Sequence, residues 1–434
     1  MATIITQKTI FDYTEIEKKG DLERLELALS NIDDEKLVRK LERKRGKGRN
    51  DYPIRAMINS IYAKFIFKHQ NIESLRSELS RNKQLRDMCG FSDWSEKNHL
   101  VPPARVYTNF LNSLTNYTKE LDEIFNALVS FMYDTVEGFG KTIAGDGKYI
   151  NTYARRTSKI NDGDKRAEHD ATYSIKEYHY MSADGKAKVK KQTYFGFRAH
   201  VLCDVLTEMP IKIVLLPANE SELKTMKKIL SNKLSKKQLA TMEYLLLDRG
   251  YDDTKLIKLL KTKDIKPIID IRNSWNKKSD KTKQYKDTNI VYNYKGEVFY
   301  VDDGLNLNKM IYKGYDKTRN ALRYECRGKT YRINISYDER IFTPVARDSY
   351  KWERLYKGRT AVERFNGRLD RDYKFEDHNI RGLKKMSLLL TLSATVMLAM
   401  AKGHIQSNHQ NIASLSDITG KRCDRKRRLI FKLA

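Results

Sequence analysis

Cysteine and long apolar segments are both scarce in this sequence. The four cysteines lie far apart among 434 residues and form no Cys-X-X-Cys pair, which argues against a structural zinc site or a disulfide framework. The most apolar run, residues 386–401, is short for a membrane span and contains Ser and Thr, so we expect a buried core helix there. The N-terminal residues show no signal-peptide pattern. Together these absences predict a cytoplasmic protein that does not bind a membrane.

Negative charge is also scarce relative to positive charge. Lys and Arg total 84 against 56 for Asp and Glu, which gives a formal net charge of +28. This balance favours a polyanionic partner, and nucleic acid before a membrane surface. The length and the hydrophobic fraction of 40% allow a sizeable core in two or three domains.

Two carboxylates stand at or near the predicted ends of buried strands. Asp146 lies in a β-like apolar stretch with a glycine on each side, and Asp248 ends the apolar run MEYLLLD just before a helix start. A lone Asp in such a place is usually a helix cap or a turn residue. Two such acids, followed by a glutamate on a polar helix face, are instead typical of proteins that hold divalent metals over a phosphodiester.

The glutamate comes from residues 356–374, YKGRTAVERFNGRLDRDYK, which contain no proline and are predicted to form one helix. Tyr356, Arg359 and Glu363 are spaced at i, i+3 and i+7, so one helix would present all three on a single face. Considered alone, Arg359 and Glu363 would be an ordinary i, i+4 ion pair on a solvated face. The two upstream acids favour a functional face.

Several segments together resemble bacterial insertion-sequence transposases of the DDE type. They follow the family's order over about residues 40–400 and read AGDGKYI, FGFRAHVLCD, PANESE, LLLDRGYDD, KPIIDIR and YKGRTAVERFNGRL. The family signature is Tyr, two residues, Arg, three residues, Glu, six residues, Lys. Tyr356, Arg359 and Glu363 fit it, whereas Asp370 occupies the lysine position.

The resemblance implies an activity, ligands and partners. The protein would bind double-stranded DNA at the ends of an insertion sequence, cleave phosphodiester bonds and join the 3′-hydroxyl ends to target DNA as a homodimer assembled on DNA. Two Mg²⁺ or Mn²⁺ ions would be held by the catalytic residues Asp146, Asp248 and Glu363, because hard cations prefer carboxylate oxygens. Tyr356 and Arg359 would contact DNA near the cleaved phosphate.

Two alternative functions stay open. One is a metal-dependent nuclease without strand transfer, and the other is an inactive, transposase-derived DNA-binding protein. The intact acidic triad argues against the inactive protein.

The departure at Asp370 calls for another cation near the DNA. If the helix ran unbroken to Lys374, that lysine would lie in line with Tyr356, and Arg371 would lie beside the same face. We therefore predict that Arg371 and Lys374 together supply the DNA contact of the missing lysine.

The order of predicted elements indicates a mixed α/β fold in four segments. Residues 1–138 are predicted to be an all-α N-terminal DNA-binding region, and residues 139–271 the first part of an RNase H-like catalytic core. Residues 272–347 are predicted to be an inserted, mainly-β subdomain, and residues 348–434 the second part of the core with a basic C-terminal tail. Helical patterns between the later strands supply the crossovers that parallel strands need.

Three polar segments allow a solvated or a DNA-contacting interpretation. The basic stretch 39–53 and the tail from residue 420 are equally consistent with both. Residues 152–192 combine Lys, Arg and Tyr and are predicted to form an exposed loop or hairpin that can lie on DNA.

Three further side chains are assigned to the fold rather than to the chemistry. His200 is predicted to be a hydrogen-bonded core histidine rather than a ligand or base. Glu222 suits the first turn of a helix, where acids complement the helix dipole. Trp275 is predicted to pack rather than to stack on an unpaired base.

Overall fold

The structure of the protein is a computed structural model. It describes residues 16–47, 52–91, 101–155, 167–182, 184, 187–275 and 282–419, with the backbone alone at 178–179 and 408–419. The backbone divides into two compact units, one of residues 138–368 and one of the residues before and after them. The predicted domain boundaries divide the chain more finely and stay a prediction.

The first unit is built from helices. Those that precede the sheet are α1 (Asp21–Leu29), α2 (Glu35–Arg45), α3 (Ile54–Ile66), α4 (Ile72–Arg81), α5 (Lys83–Cys89), α6 (Ala104–Leu114) and α7 (Thr118–Thr135). The predicted helical N-terminal region is thereby confirmed. Asn71 caps α4 by accepting a hydrogen bond from the backbone amide of Ser74 at 2.9 Å, and Gly90 ends α5 with a left-handed φ of 94°.

The long apolar helix near the C-terminus, α13 (Leu383–Thr419), belongs to the same unit. It packs against α1, α3 and α7. Its segment Leu383–Ser407 is long and apolar enough to cross a membrane, but 89% of the most apolar window is buried inside the protein. The segment is therefore a buried core helix, as the sequence predicts.

Lys64 on α3 is only 4% exposed, and burial lowers the pKa of its ammonium group to about 8. Replacing it by Met is expected to raise the free energy of unfolding at neutral pH by roughly 1–3 kcal/mol, because the variant no longer buries a charge. The pKa of Lys64 is lower in the folded protein than in the unfolded chain. The destabilisation of the wild type by Lys64 is therefore complete below about pH 8 and disappears towards pH 10.5.

Denaturant titrations of wild type and Lys64→Met across that pH range measure the difference. Lys119→Met, at an exposed position on α7, is the control and should change the stability by less than about 0.5 kcal/mol at any pH. A stability difference between wild type and Lys64→Met that does not shrink as the pH rises would contradict this explanation.

A six-stranded sheet forms the centre of the second unit. Its strands are β1 (Thr142–Asn151), β2 (Thr172–Met181), β3 (Ala187–Asp204), β4 (Pro210–Pro217), β5 (Tyr244–Leu247) and β6 (Lys266–Ile269). β3 pairs antiparallel with β1, β2 and β4, whereas β5 pairs parallel with both β1 and β6.

Three helices lie between the later strands of this sheet. They are α8 (Glu222–Asn232), α9 (Lys236–Thr241) and α10 (Thr254–Thr262). α8 and α9 connect β4 to β5, and α10 is the crossover that the parallel pair β5–β6 requires. The predicted mixed α/β architecture is confirmed at this level.

The chain between β6 and the next helix forms two smaller sheets. Their strands are β7 (Lys283–Gln284), β8 (Ile290–Tyr292), β9 (Val298–Val301), β10 (Leu307–Lys309), β11 (Ile311–Asp316), β12 (Ala321–Cys326) and β13 (Lys329–Asn334). Buried residues of both sheets share one hydrophobic cluster, against which Trp275 packs. The Trp275 ring meets Tyr292 edge-on with 6.1 Å between ring centroids, so the contact agrees with a packing role.

Residues 356–374 do not form one helix, so that prediction is wrong. The chain forms α11 (Tyr350–Lys357) and α12 (Thr360–Arg371), separated by a turn at Gly358 and Arg359. The backbone amides of both turn residues bond to the carbonyl three residues earlier, which tightens the chain. A Cβ atom at Gly358 would lie 2.8 Å from Val205 and 3.2 Å from Leu246, so only glycine lets this turn approach the sheet.

Candidate active site

Asp146 on β1 lies at the same level as Asp248, which directly follows the neighbouring parallel strand β5. The last register pair between β1 and β5 joins Ala144 to Leu246, and each aspartate comes two residues later. β5 ends at Leu247, whereas β1 continues past Asp146 in its pairing with β3. Asp146 therefore lies within its strand rather than at its end, although it is level with the end of β5.

Burial raises the pKa of the Asp146 carboxyl group, and the charge of Asp248 raises it further. The backbone amide of Gly147 and the guanidinium of Arg359 partly offset this effect. Asp248 also receives a hydrogen bond from the amide of Gly250 at 2.7 Å, as a capping residue does. Two carboxylates that repel each other in a partly buried place are a natural site for a cation.

Helix α12 brings a further set of side chains to Asp146. The Asn366 side-chain amide donates a hydrogen bond to Asp146 at 3.3 Å. On another side of the helix, Arg364 and Arg368 form ion pairs with Glu208, which holds α12 against the turn between β3 and β4. The helix that carries Glu363 is thus fixed to the sheet by contacts on two of its sides.

Glu363 itself is ion-paired with Arg359 in the preceding turn and is 49% exposed. The charge of Asp146 also acts on Arg359, so this one guanidinium links the glutamate to the aspartate electrostatically. Tyr356 lies at the end of α11, where its ring stacks on Trp352 with centroids 4.8 Å apart. The Arg359 guanidinium lies 6.0 Å from the centre of the Tyr356 ring.

Arg371 and Lys374 do not continue the face of Tyr356, so their predicted alignment on one helix is wrong. Arg371 is the last residue of α12, and its guanidinium lies 3.0 Å from Asp372 and 3.4 Å from Glu17. Lys374 lies beyond the helix with a φ of 59°. The helix ends before Lys374, which removes the geometric argument; their contact with DNA stays a prediction.

Glu222 is a residue that sequence reasoning assigned only to a helix start. Ser221 does cap α8, but the Glu222 carboxylate lies 3.2 Å from Arg198 and beside Gly147, the residue after Asp146. Burial raises the pKa of Glu222, as do the charges of Asp248 and Asp146. Because this proximity depends on how α8 packs on β3, no spacing in the sequence signals it.

His200 is fully buried on β3, where it pairs in register with Gly147. Neither of its ring nitrogens has a hydrogen-bond partner among the described residues, so the expectation of a hydrogen-bonded core histidine is wrong in that respect. Burial and the charge of Arg198 lower its pKa to about 4. A neutral imidazole is therefore expected at neutral pH.

The chemistry of these side chains fits a hard divalent cation. Asp146, Asp248 and Glu222 offer carboxylate oxygens whose mutual repulsion a bound cation would relieve. Among the residues that the structure describes, no three His, Cys, Asp or Glu side chains are grouped closely enough to hold a metal as they stand. Glu363 is instead ion-paired with Arg359.

Acids level on adjacent parallel strands, with a glutamate on a neighbouring helix, are typical of enzymes that act on phosphodiesters. A family model described as "Transposase DDE domain" matches residues 146–399, more than half of the chain. The chain belongs to this transposase family. The matched region begins at Asp146 and contains Asp248 and Glu363.

The comparisons with solved structures and with curated proteins support no further argument about this chain. A solved structure described as a cryo-EM structure of the piggyBac transposase synaptic complex with hairpin DNA is 12% identical in sequence. The alignment covers 94% of this chain and 79% of that chain, with a TM-score of 0.39. No curated protein matches the sequence.

Proposed function

We propose that the protein binds the ends of an insertion sequence, cleaves phosphodiester bonds there and joins the 3′-hydroxyl ends to target DNA. The observation that carries the proposal is the placement of Asp146 level with Asp248, with Asn366 of the Glu363 helix bonded to Asp146. Membership of the transposase family supports it. The net charge of +28 suits a DNA partner.

Asp146, Asp248 and Glu363 would hold two Mg²⁺ or Mn²⁺ ions. Such a pair of metals, when bound, stabilises both the attacking and the leaving oxygen of an in-line displacement at phosphorus. The chain itself positions the ligands: the β1–β5 ladder sets the two aspartates level, and Glu208 anchors α12. Arg359, next to the stacked Tyr356 ring, would move from Glu363 to a DNA phosphate.

The finer features of the fold belong to the same proposal. Antiparallel β3 and β4 on one side of β1, and parallel β5 and β6 on the other, support an RNase H-like core. The sheets of β7–β13 would be a subdomain inserted into it. We also propose that helices α3–α5 contribute to DNA recognition, and that the protein works as a homodimer on DNA in the bacterial cytoplasm.

Joining of a pre-cut end tests this function against its alternatives. Purified protein, Mg²⁺, a duplex ending in the element's pre-cut terminus and a supercoiled plasmid are expected to give plasmid covalently joined to the duplex. Cleavage of uncut end DNA without any joining would favour a nuclease. DNA binding without cleavage or joining would favour an inactive descendant.

A further inference from the structure

A two-stranded ribbon extends from the sheet of the second unit. β2 pairs with the first half of β3, from Thr172 opposite Gly196 to Met181 opposite Ala187. The pairing of β1 with β3 ends at Gly196, so beyond that residue the ribbon leaves the sheet. At about 3.4 Å per residue, the 10 residues of β2 span roughly 30 Å. Residues 187–193 are exposed throughout.

The ribbon has two chemically different faces because residues opposite each other in register share a face. The basic face, as we call it, carries Lys176, Lys188 and Lys190, all exposed. The opposite face carries the exposed apolar side chains Ile175 (62%), Met181 (68%) and Val189 (49%). On that opposite face Lys191 is ion-paired with Glu177 at 3.0 Å. Lys188 of the basic face lies 4.0 Å from Asp184, near the turn between the two strands. The basic face thus carries three lysines.

The basic face continues onto the central sheet as far as Glu222, whereas Asp146, in register with Val201, belongs to the other face of the sheet. Tyr194 on this face stacks on Tyr149 of β1 with ring centroids 4.1 Å apart, and the Tyr149 hydroxyl is 2.8 Å from the Ser174 hydroxyl. The Arg198 guanidinium lies over the Tyr149 ring, 4.2 Å from the ring centroid, and forms an ion pair with Glu222 at 3.2 Å. A row of cations and aromatic rings therefore leads along one surface to Glu222, beside the candidate active site.

Lysines bind phosphates as point charges with little sequence preference, and a two-stranded ribbon is narrow enough to enter a DNA major groove.

We propose that the basic face of the β2–β3 ribbon binds the phosphate backbone of the duplex that enters the active site, through Lys188 and Lys190. This inference rests on the proposed function, since it takes the bound polyanion to be duplex DNA. The contact holds DNA without reading its sequence.

The test compares wild type, the double variant Lys188→Ala/Lys190→Ala and the control Lys191→Ala in binding a mixed-sequence duplex without metal. All three positions are exposed, so the variants should fold like wild type. Removing two phosphate contacts should make the slope of log affinity against log salt shallower by about two. The control loses a lysine of the same strand, but on the opposite face, and should keep the wild-type slope.

The outcomes separate this inference from the proposed function. A wild-type slope in the double variant, or an equal loss in the control, would overturn it. If the slope is unchanged and Ile175→Lys instead lowers the mass of the DNA-free protein, the ribbon serves to bind a second copy of the chain. Metal-dependent cleavage by wild type is scored separately, so an inactive enzyme that shows the expected slopes refutes only the proposed catalysis.

Discussion

Asp146→Asn and Asp248→Asn are each expected to abolish metal-dependent DNA cleavage, a loss of roughly 10³-fold or more, while leaving DNA binding nearly intact. An amide has almost the same shape as the carboxylate but no negative charge to offer a divalent cation. Glu363→Gln should likewise abolish cleavage and keep DNA binding if Glu363 is the third metal ligand. Cleavage of end DNA and a gel-shift titration on the same substrate measure the two properties.

Metal binding by the same variants can be followed without any reaction. Mg²⁺ should raise the unfolding temperature of wild type, because a ligand that binds only the folded state stabilises it. It should raise that of Asp146→Asn far less. Without metal, Asp146→Asn should be more stable than wild type, since it removes a buried charge that Asp248 repels.

Glu243→Gln is the matched control for these acids. Glu243 directly precedes β5 and Asp248 directly follows it, so the two substitutions lie at opposite ends of the same strand. The control loses an ion pair with Lys266 near the surface and alters a hydrogen bond with Tyr244, and it should cleave normally. Full cleavage by Asp146→Asn or Asp248→Asn would remove that residue from the site, and loss of cleavage in the control would point to a damaged sheet.

Gly196→Ala is expected to destabilise the second unit by about 3 kcal/mol or more, at or beyond the upper end for overpacking. A Cβ atom at this position would clash with the Ile150 carbonyl oxygen and lie 2.9 Å from the Asn151 Cα atom. Both are backbone atoms, which cannot turn away as a side chain can. The ribbon leaves the sheet here, so β3 can pass the end of β1 only without a side chain.

Gly367→Ala is the control, and it should act in the opposite direction. Gly367 lies on the exposed side of α12, where a Cβ atom would meet nothing within 4 Å. Alanine should therefore stabilise the helix by about 0.5–1 kcal/mol. Thermal unfolding of both variants measures the contrast, and a wild-type unfolding temperature for Gly196→Ala would show that β3 can shift.

The strands and their acids were predictable because local pattern and parallel pairing act together. An apolar run that ends in Asp248, and Asp146 between glycines, mark two strands, and a parallel ladder then sets such residues level. Helical periodicity does not predict the break between α11 and α12, although Gly358 is a signal for it. Its cause is the nearness of Val205 and Leu246, which no local pattern encodes.

The pairing of Glu222 with Arg198 could not be predicted for a related reason. The two residues come together because α8 packs over β3, and the sequence gives no register between a helix and the strand beneath it. Lys374 shows the converse error. Helical periodicity predicts a helix that continues past Arg371, but the helix ends there and Lys374 adopts a left-handed conformation that periodicity does not predict.

Under the proposed function, the ion pair between Arg359 and Glu363 would make DNA binding and metal binding depend on each other. A guanidinium shared between a carboxylate and an incoming phosphate cannot fully serve both, so DNA at Arg359 leaves the Glu363 oxygens available to a cation. The two ligands then have a coupling free energy, and each must strengthen the other by the same factor. Under the proposed function, the protein would bind its metals most tightly once DNA is in place, which would limit nicking of DNA that is not held at Arg359.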